Sequence, residues 1–130
     1  MCGACAMENL ENIDIHACPL RDLVKQYFEK KYPIMSDGIA LCGESGQKWV
    51  FDLVVNAENE GGSFGIFVRD WDRSIGVNQL RRLEKACRDT EMAGGIIFGN
   101  TFSPHAKKFA KNYGISVFTR WDLVHKMGIW

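Results

Sequence analysis

The sequence predicts an α/β domain with one mixed β-sheet and helices on both faces. Three observations carry that expectation. Three strand-like runs follow the first helix, and a short polar, Gly-ended link joins the last two, the mark of an antiparallel meander. Beyond Arg69 the periodicity changes, and helical stretches alternate with short apolar strands, as parallel β-α-β units require. A chain of 130 residues, 46% hydrophobic and 25% charged, suits one domain with its own core.

The elements follow from local patterns. Leu20, Leu23, Val24, Tyr27 and Phe28 form a stripe at helical spacing, so Pro19–Tyr32 reads as a helix, with Pro19 near its start and Pro33 as its stop. Gly38–Cys42, Lys48–Asn56 and Ser63–Arg69 read as strands, the last two rich in β-branched and aromatic residues. Val77–Thr90 reads as a helix with Leu80, Leu83 and Cys87 inward and Arg81, Arg82, Lys85 and Arg88 mostly outward. Gly94–Phe98 is a short apolar strand. Asn100–Asn112 is the next helix, with Ser103 as N-cap, Pro104 in the first turn and Gly114 as stop. Ile115–Thr119 is the last strand, and Asp122 is placed to cap a helix over Leu123–Met127. The order is α-β-β-β-α-β-α-β-α, with a domain over residues 19–130 behind a Cys-containing leader, 1–18.

Charge is balanced in sum but not in distribution. Sixteen basic and sixteen acidic side chains cancel. Residues 1–68 carry 5 Lys/Arg against 10 Asp/Glu, a balance of −5, whereas residues 69–130 carry 11 against 6, a balance of +5. Neutrality argues against a protein that coats nucleic acid by bulk charge, and the split points to one face that prefers anions. No apolar run nears ~20 residues, so a membrane span is not expected. The first residues lack a signal-peptide pattern, so a cytoplasmic location is. Five cysteines without an export signal are expected to be mostly reduced, with Cys42 and Cys87 as buried small hydrophobes.

Four stretches carry a resemblance. They are Phe51-Asp52-Leu53-Val54-Val55; Ile66-Phe67-Val68-Arg69-Asp70-Trp71; the run from Ile75 to Leu83; and Gly94–Phe98 with Phe102–Lys107 and Gly114-Ile115 behind it. In order and spacing they resemble the restriction-endonuclease-like PD-(D/E)xK superfamily in its Mrr-like branch. That likeness implies a restriction-endonuclease-like mixed sheet, a Mg²⁺-dependent nuclease ancestry and DNA as partner. In such a site two acids on neighbouring strands hold the metal, and a lysine two residues past the second acid shares its strand face.

Placed on this chain, the resemblance makes Asp52 the first acid and Mg²⁺ ligand, puts Arg69 at the lysine position, and sets Gln79 near the site. It also places Phe67 where the second acid belongs, and phenylalanine ligates no metal. Arg69 keeps the charge, but a guanidinium is too basic to act as a general base. An acid migrating from Glu29, Glu44 or Glu58 would restore an active endonuclease. Asp52 reads equally well as a structural carboxylate paired with Arg69. Either way the implied site is damaged, and the reading is a nucleic-acid-binding or accessory domain with little or no cleavage.

Arg69, Trp71, Arg73, Arg81, Arg82 and Lys85 are the candidate nucleic-acid contacts, arginines for phosphates and Trp71 for stacking; the same cations read alternatively as a solvated helix surface. Cys2 and Cys5 form a CxxC pair which, with His16 and Cys18, offers four ligands for Zn²⁺. A leader with free thiols explains the same residues. Trp71, Trp121 and Trp130 leave a protein–protein module or a homodimer as a third class.

Overall fold

Among the residues that the computed structural model describes (19–31, 34–57 and 61–126), the elements come in the predicted order. They are α1 (Leu20–Lys31), β1 (Ile34–Cys42), β2 (Lys48–Ala57), β3 (Gly62–Arg69), α2 (Val77–Asp89), β4 (Gly94–Gly99), α3 (Pro104–Tyr113), β5 (Ser116–Thr119) and α4 (Arg120–Lys126). The leader lies outside the described residues, and with it the zinc expectation on Cys2, Cys5, His16 and Cys18. Glu58 and Trp130 lie outside them too.

The sheet is mixed, with spatial order β1-β2-β3-β4-β5. β1, β2 and β3 pair antiparallel; β3, β4 and β5 pair parallel. The change of direction at β3 is where the sequence changes period. Helices α2 and α3 make the two parallel crossovers and pack on one face through Leu80, Leu83, Ala86, Ala106 and Ala110 against Trp49, Phe51, Phe67 and Ile97. Helices α1 and α4 cover the other face through Leu20, Leu23, Val24, Phe28, Leu123 and Val124 against Leu53, Val55, Ile66 and Phe98. Each large apolar side chain taken from water contributes roughly 1.5–3 kcal/mol, so both faces need their helices.

Two glycines allow α2 to lie close on the sheet. A Cβ on Gly65 would strike the Phe51 ring, and one on Gly95 would come within 3.0 Å of Cys87 Sγ and Leu83 Cγ. Cys87 itself is buried, and desolvation pushes its thiol up to about 12. Cys42 is exposed, contrary to the expectation of two buried thiols, because it ends the edge strand β1 beside the open turn to β2. Maleimide is therefore expected to label Cys42 in the native protein and Cys87 only after unfolding; peptide mass mapping checks this.

Three boundaries differ from the sequence reading, each for a local reason. β1 begins at Ile34 rather than Gly38, drawn out by pairing with β2 as far as Ile34↔Val55. α3 begins at Pro104 rather than Asn100, because Ile75 N donates to Thr101 O (2.9 Å) and Ser103 N to Ile75 O (3.0 Å), holding residues 100–103 extended. Ser103 then caps as expected, accepting from Ala106 N at 3.1 Å, and Gly114 ends the helix at φ 71°. α4 begins at Arg120, and its cap is Thr119 rather than Asp122. Thr119 Oγ1 accepts from Asp122 N (3.1 Å) while Asp122 Oδ2 accepts from Thr119 N (2.9 Å), a reciprocal capping box.

Candidate functional site

The alternation of β2 breaks at Asp52. Trp49, Phe51 and Val54 face α2 and α3, whereas Leu53 and Val55 face α1 and α4. The pairing of β2 with β3 runs from Ala57↔Gly62 up to Leu53↔Ile66. At the next position the Asp52 side chain takes over, and its Oδ2 accepts from Val68 N at 2.8 Å. Asp52 thus lies between two parting strands, in the mid-plane of the sheet.

Two guanidinium groups close on it. Arg21 Nη1, from the first turn of α1, donates to Asp52 Oδ1 at 2.8 Å, and its Nη2 donates to the Asp52 carbonyl at 3.2 Å. Arg69 Nη1, from the end of β3, donates to Asp52 Oδ2 at 3.0 Å and to Val68 O at 3.1 Å. Arg69 Nε donates to Gln79 Oε1 at 3.1 Å, which ties the start of α2 to the cluster. Asp52, Arg69 and Gln79, chosen from sequence, therefore do converge. Arg21 was missed: it sits on a helix that the sequence marks only by its apolar stripe, 31 residues from its partner.

Phe67 is buried in the core, its ring centroid 5.8 Å from that of Phe51. The Arg69 guanidinium lies over the Phe67 ring at 4.5 Å, so the electron-rich face of an aromatic ring meets the cation where the resemblance expects an acid. Trp71 continues the surface: its ring is 6.0 Å from the Arg69 guanidinium and 4.5 Å from that of Arg73. Arg73 is exposed and reaches solvent beyond the indole.

The remaining predicted cations spread out along α2. Arg81 lies 5.9 Å over Phe109 toward α3, and Arg82 lies 5.8 Å over Trp49 toward β2. Lys85 lies near Asp89, whose carboxyl is held below the usual range mainly by the Ser45 and Trp49 hydrogen bonds. Glu29 is exposed on α1, and Glu44 shares a hydrogen bond with Glu91, which raises its pKa. Neither reaches Asp52. Among the described residues no group of three His, Cys, Asp or Glu side chains is arranged to hold a metal ion, and no helix is long and apolar enough to cross a membrane.

A second group of polar side chains lies past the ends of the parallel strands. Asp70 directly follows β3, Asn100 follows β4 and Arg120 follows β5. Asp70 Oδ1 accepts from Asn100 Nδ2 and from Arg120 Nη2, both at 2.9 Å, and Asp70 Oδ2 accepts from Leu20 N at 3.1 Å. Burial opposes ionisation of Asp70, but the bonds from Asn100, Leu20 and Arg120 outweigh it and hold the carboxyl below its usual 3.8. A depressed carboxyl stabilises the fold above the unfolded value, and that contribution is lost as pH falls below 3.8 through the lower folded value. Urea melts of the wild type and Asp70→Asn are therefore expected to differ most at neutral pH and to converge below 3.8.

The fold and these elements define a nuclease-like α/β domain. A family model described as restriction endonuclease, the Mrr catalytic domain, matches residues 20–127, and the chain belongs to that family. A crystal structure of a protein of unknown function, AF1548, is similar to it with a TM-score of 0.66 and 20% identity, a likeness that shows the fold alone. The match covers 85% of this chain and 58% of that one, so the chain spans little more than half of that neighbour's length. No curated protein matches the chain.

Proposed function

We propose that this domain binds nucleic acid through phosphate contacts and that its ancestral cleavage site no longer cuts, or cuts weakly. The observation that carries this is the state of Asp52. Both of its carboxylate oxygens accept hydrogen bonds from Arg21, Arg69 and Val68 N, and Phe67 supplies no second acid. Nucleases of this family take Mg²⁺, but this donor set does not fit a divalent cation. Two guanidinium groups stand against one carboxylate, and a third cation, Arg73, lies over the Trp71 ring that Arg69 also neighbours. The cluster keeps a net positive charge without metal.

That surplus is suited to a phosphodiester. Arg69 Nη2 has no partner among the described residues, and Arg73 projects from the Trp71 ring toward solvent. A guanidinium presents paired donors to phosphate oxygens, and each contact releases counterions, so binding is salt-sensitive and independent of base sequence. Incubation with supercoiled plasmid in Mg²⁺ or Mn²⁺ is expected to leave it intact while gel shift shows binding at low salt. Nicking that disappears in Asp52→Ala restores the enzyme reading; a monodisperse dimer with no affinity for any nucleic acid favours a protein–protein module.

A further inference from the structure

Beyond the cation cluster, the loop ends of β3, β4 and β5 border an open cleft of about 640 Å³. Its inner wall is the Asp70–Asn100–Arg120 group, with Arg120 only 7% exposed and its Nε bonded to Asn100 Oδ1 at 2.9 Å. Asn100 Nδ2 also donates to Trp71 O at 3.1 Å, which fixes the indole-bearing loop against the ends of the strands. Two tryptophans, Trp71 and the half-exposed Trp121, flank the opening, and Asp72 and Thr101 lie at its rim with no side-chain partner among the described residues. The loops hold this form because Gly99 has no Cβ: one there would collide with Ile75 and come within 3.1 Å of Phe102.

Size, shape and charge narrow the occupant. The volume falls in the range of pockets for single small ligands, and the C-terminal ends of parallel strands are where open α/β sheets receive them. Two indoles favour a flat, aromatic guest. Asp70 and Asp72 outnumber Arg120, so the pocket repels a phosphate and favours a neutral group with hydrogen-bond donors on its edge, which Asp72 accepts and Thr101 complements. The cations for a phosphate lie beside the Trp71 ring, Arg73 at 4.5 Å and Arg69 at 6.0 Å from it.

From this we infer that the cleft receives a nucleobase swung out of its stack, with its flanking phosphates on Arg73 and Arg69. The inference rests on the nucleic-acid reading above and sharpens it: the preferred substrate is single-stranded, or duplex with an unpaired base, rather than continuous B-form DNA. The base stacks on the exposed Trp121 indole while its exocyclic amino edge meets Asp72; the Trp71 ring already carries Arg73 and forms a wall of the site.

Fluorescence anisotropy in EDTA tests this with three probes of one length: a single-stranded oligodeoxynucleotide, its fully paired duplex, and the same strand with abasic residues. The RNA strand of the same sequence, run in parallel, tells which sugar the site prefers. The base-bearing strand is expected to bind about 10-fold tighter than duplex or abasic strand. Trp121→Ala is expected to remove that difference and leave duplex binding unchanged, with Trp121→Phe restoring part of it. Asp72→Ala is a second, surface variant expected to weaken the base-bearing strand alone. Equal binding of all probes, or a Trp121→Ala protein that keeps the preference, overturns the base site and leaves phosphate binding standing. Absence of binding to every probe at low salt overturns both readings together.

Discussion

Asp52→Ala is expected to destabilise the folded protein by about 2–3 kcal/mol, lowering the melting temperature by roughly 10 °C. The substitution strands two guanidinium groups that now share one carboxylate and removes the acceptor for Val68 N. Leaving one partner of a fully buried ion pair uncompensated costs about 3–5 kcal/mol; the side chains here keep about a fifth of their surface, or two fifths for Arg21, so the smaller figure applies. The sign is the informative part. In a metal site a carboxylate sits in an electronegative cluster, and removing it in the absence of metal relieves repulsion. A rise in melting temperature for Asp52→Ala would therefore count against the arginine clamp. Asp52→Asn separates charge from shape: it retains an acceptor for one donor, and its loss is expected to fall between those of wild type and alanine.

The second large effect is on binding. The double variant Arg69→Ala plus Arg73→Ala is expected to lose about 10-fold or more in affinity for any nucleic acid at low salt, and its log–log salt slope is expected to flatten by about 2. Chelating metal with EDTA is expected to leave wild-type binding unchanged, since arginines and not a cation neutralise the phosphate. Because Arg69 also pairs with Asp52, Arg73→Ala alone is the cleaner probe. Among the described residues Arg73 makes no hydrogen bond or ion pair and lies over the Trp71 ring, so its loss is expected to weaken binding without changing stability. Binding titrations over a salt series, with denaturant melts of the same variants, check both points. An affinity that collapses in EDTA would place a metal, not Arg69 and Arg73, at the phosphate.

How much of this could be read from residues alone depends on the range of the interaction. Periodicity and capping chemistry are local, and they placed the helices and strands, the cap on Ser103 and the stop at Gly114. The boundaries that moved did so where a distant partner overrode a local preference. Asn100 is a good helix-starting residue, yet the bridge from Ile75 to Phe102 keeps it in a loop, and that is what places it beside Asp70 and Arg120. Asp122 is likewise a good cap, but Thr119 reaches the position first.

The site follows the same division. Asp52, Phe67, Arg69 and Gln79 were marked by the family resemblance laid along two strands and the next helix, and they meet. Arg21 carried no such mark, because its role depends on how α1 crosses the sheet. The break in alternation at Asp52, which turns its carboxylate into the plane of the sheet, was equally hidden: the sequence around it alternates no differently from a plain buried strand. Asp70, Asn100 and Arg120 become a group only once β3, β4 and β5 are known to be parallel neighbours, for then each is the residue that follows its strand. The charge split falls at Arg69, which pairs with Asp52, while Arg21, from the acidic half, donates to the same carboxylate.

The claim at the centre of this account is that arginines, and not a divalent cation, occupy the coordination sphere of Asp52. Crystals soaked in Mn²⁺ and measured for anomalous scattering address it directly. The account predicts no anomalous peak within bonding distance of Asp52, with Arg21 and Arg69 still hydrogen-bonded to its two oxygens. A Mn²⁺ ion bound by Asp52 and a second protein oxygen, with the arginines turned aside, would contradict it.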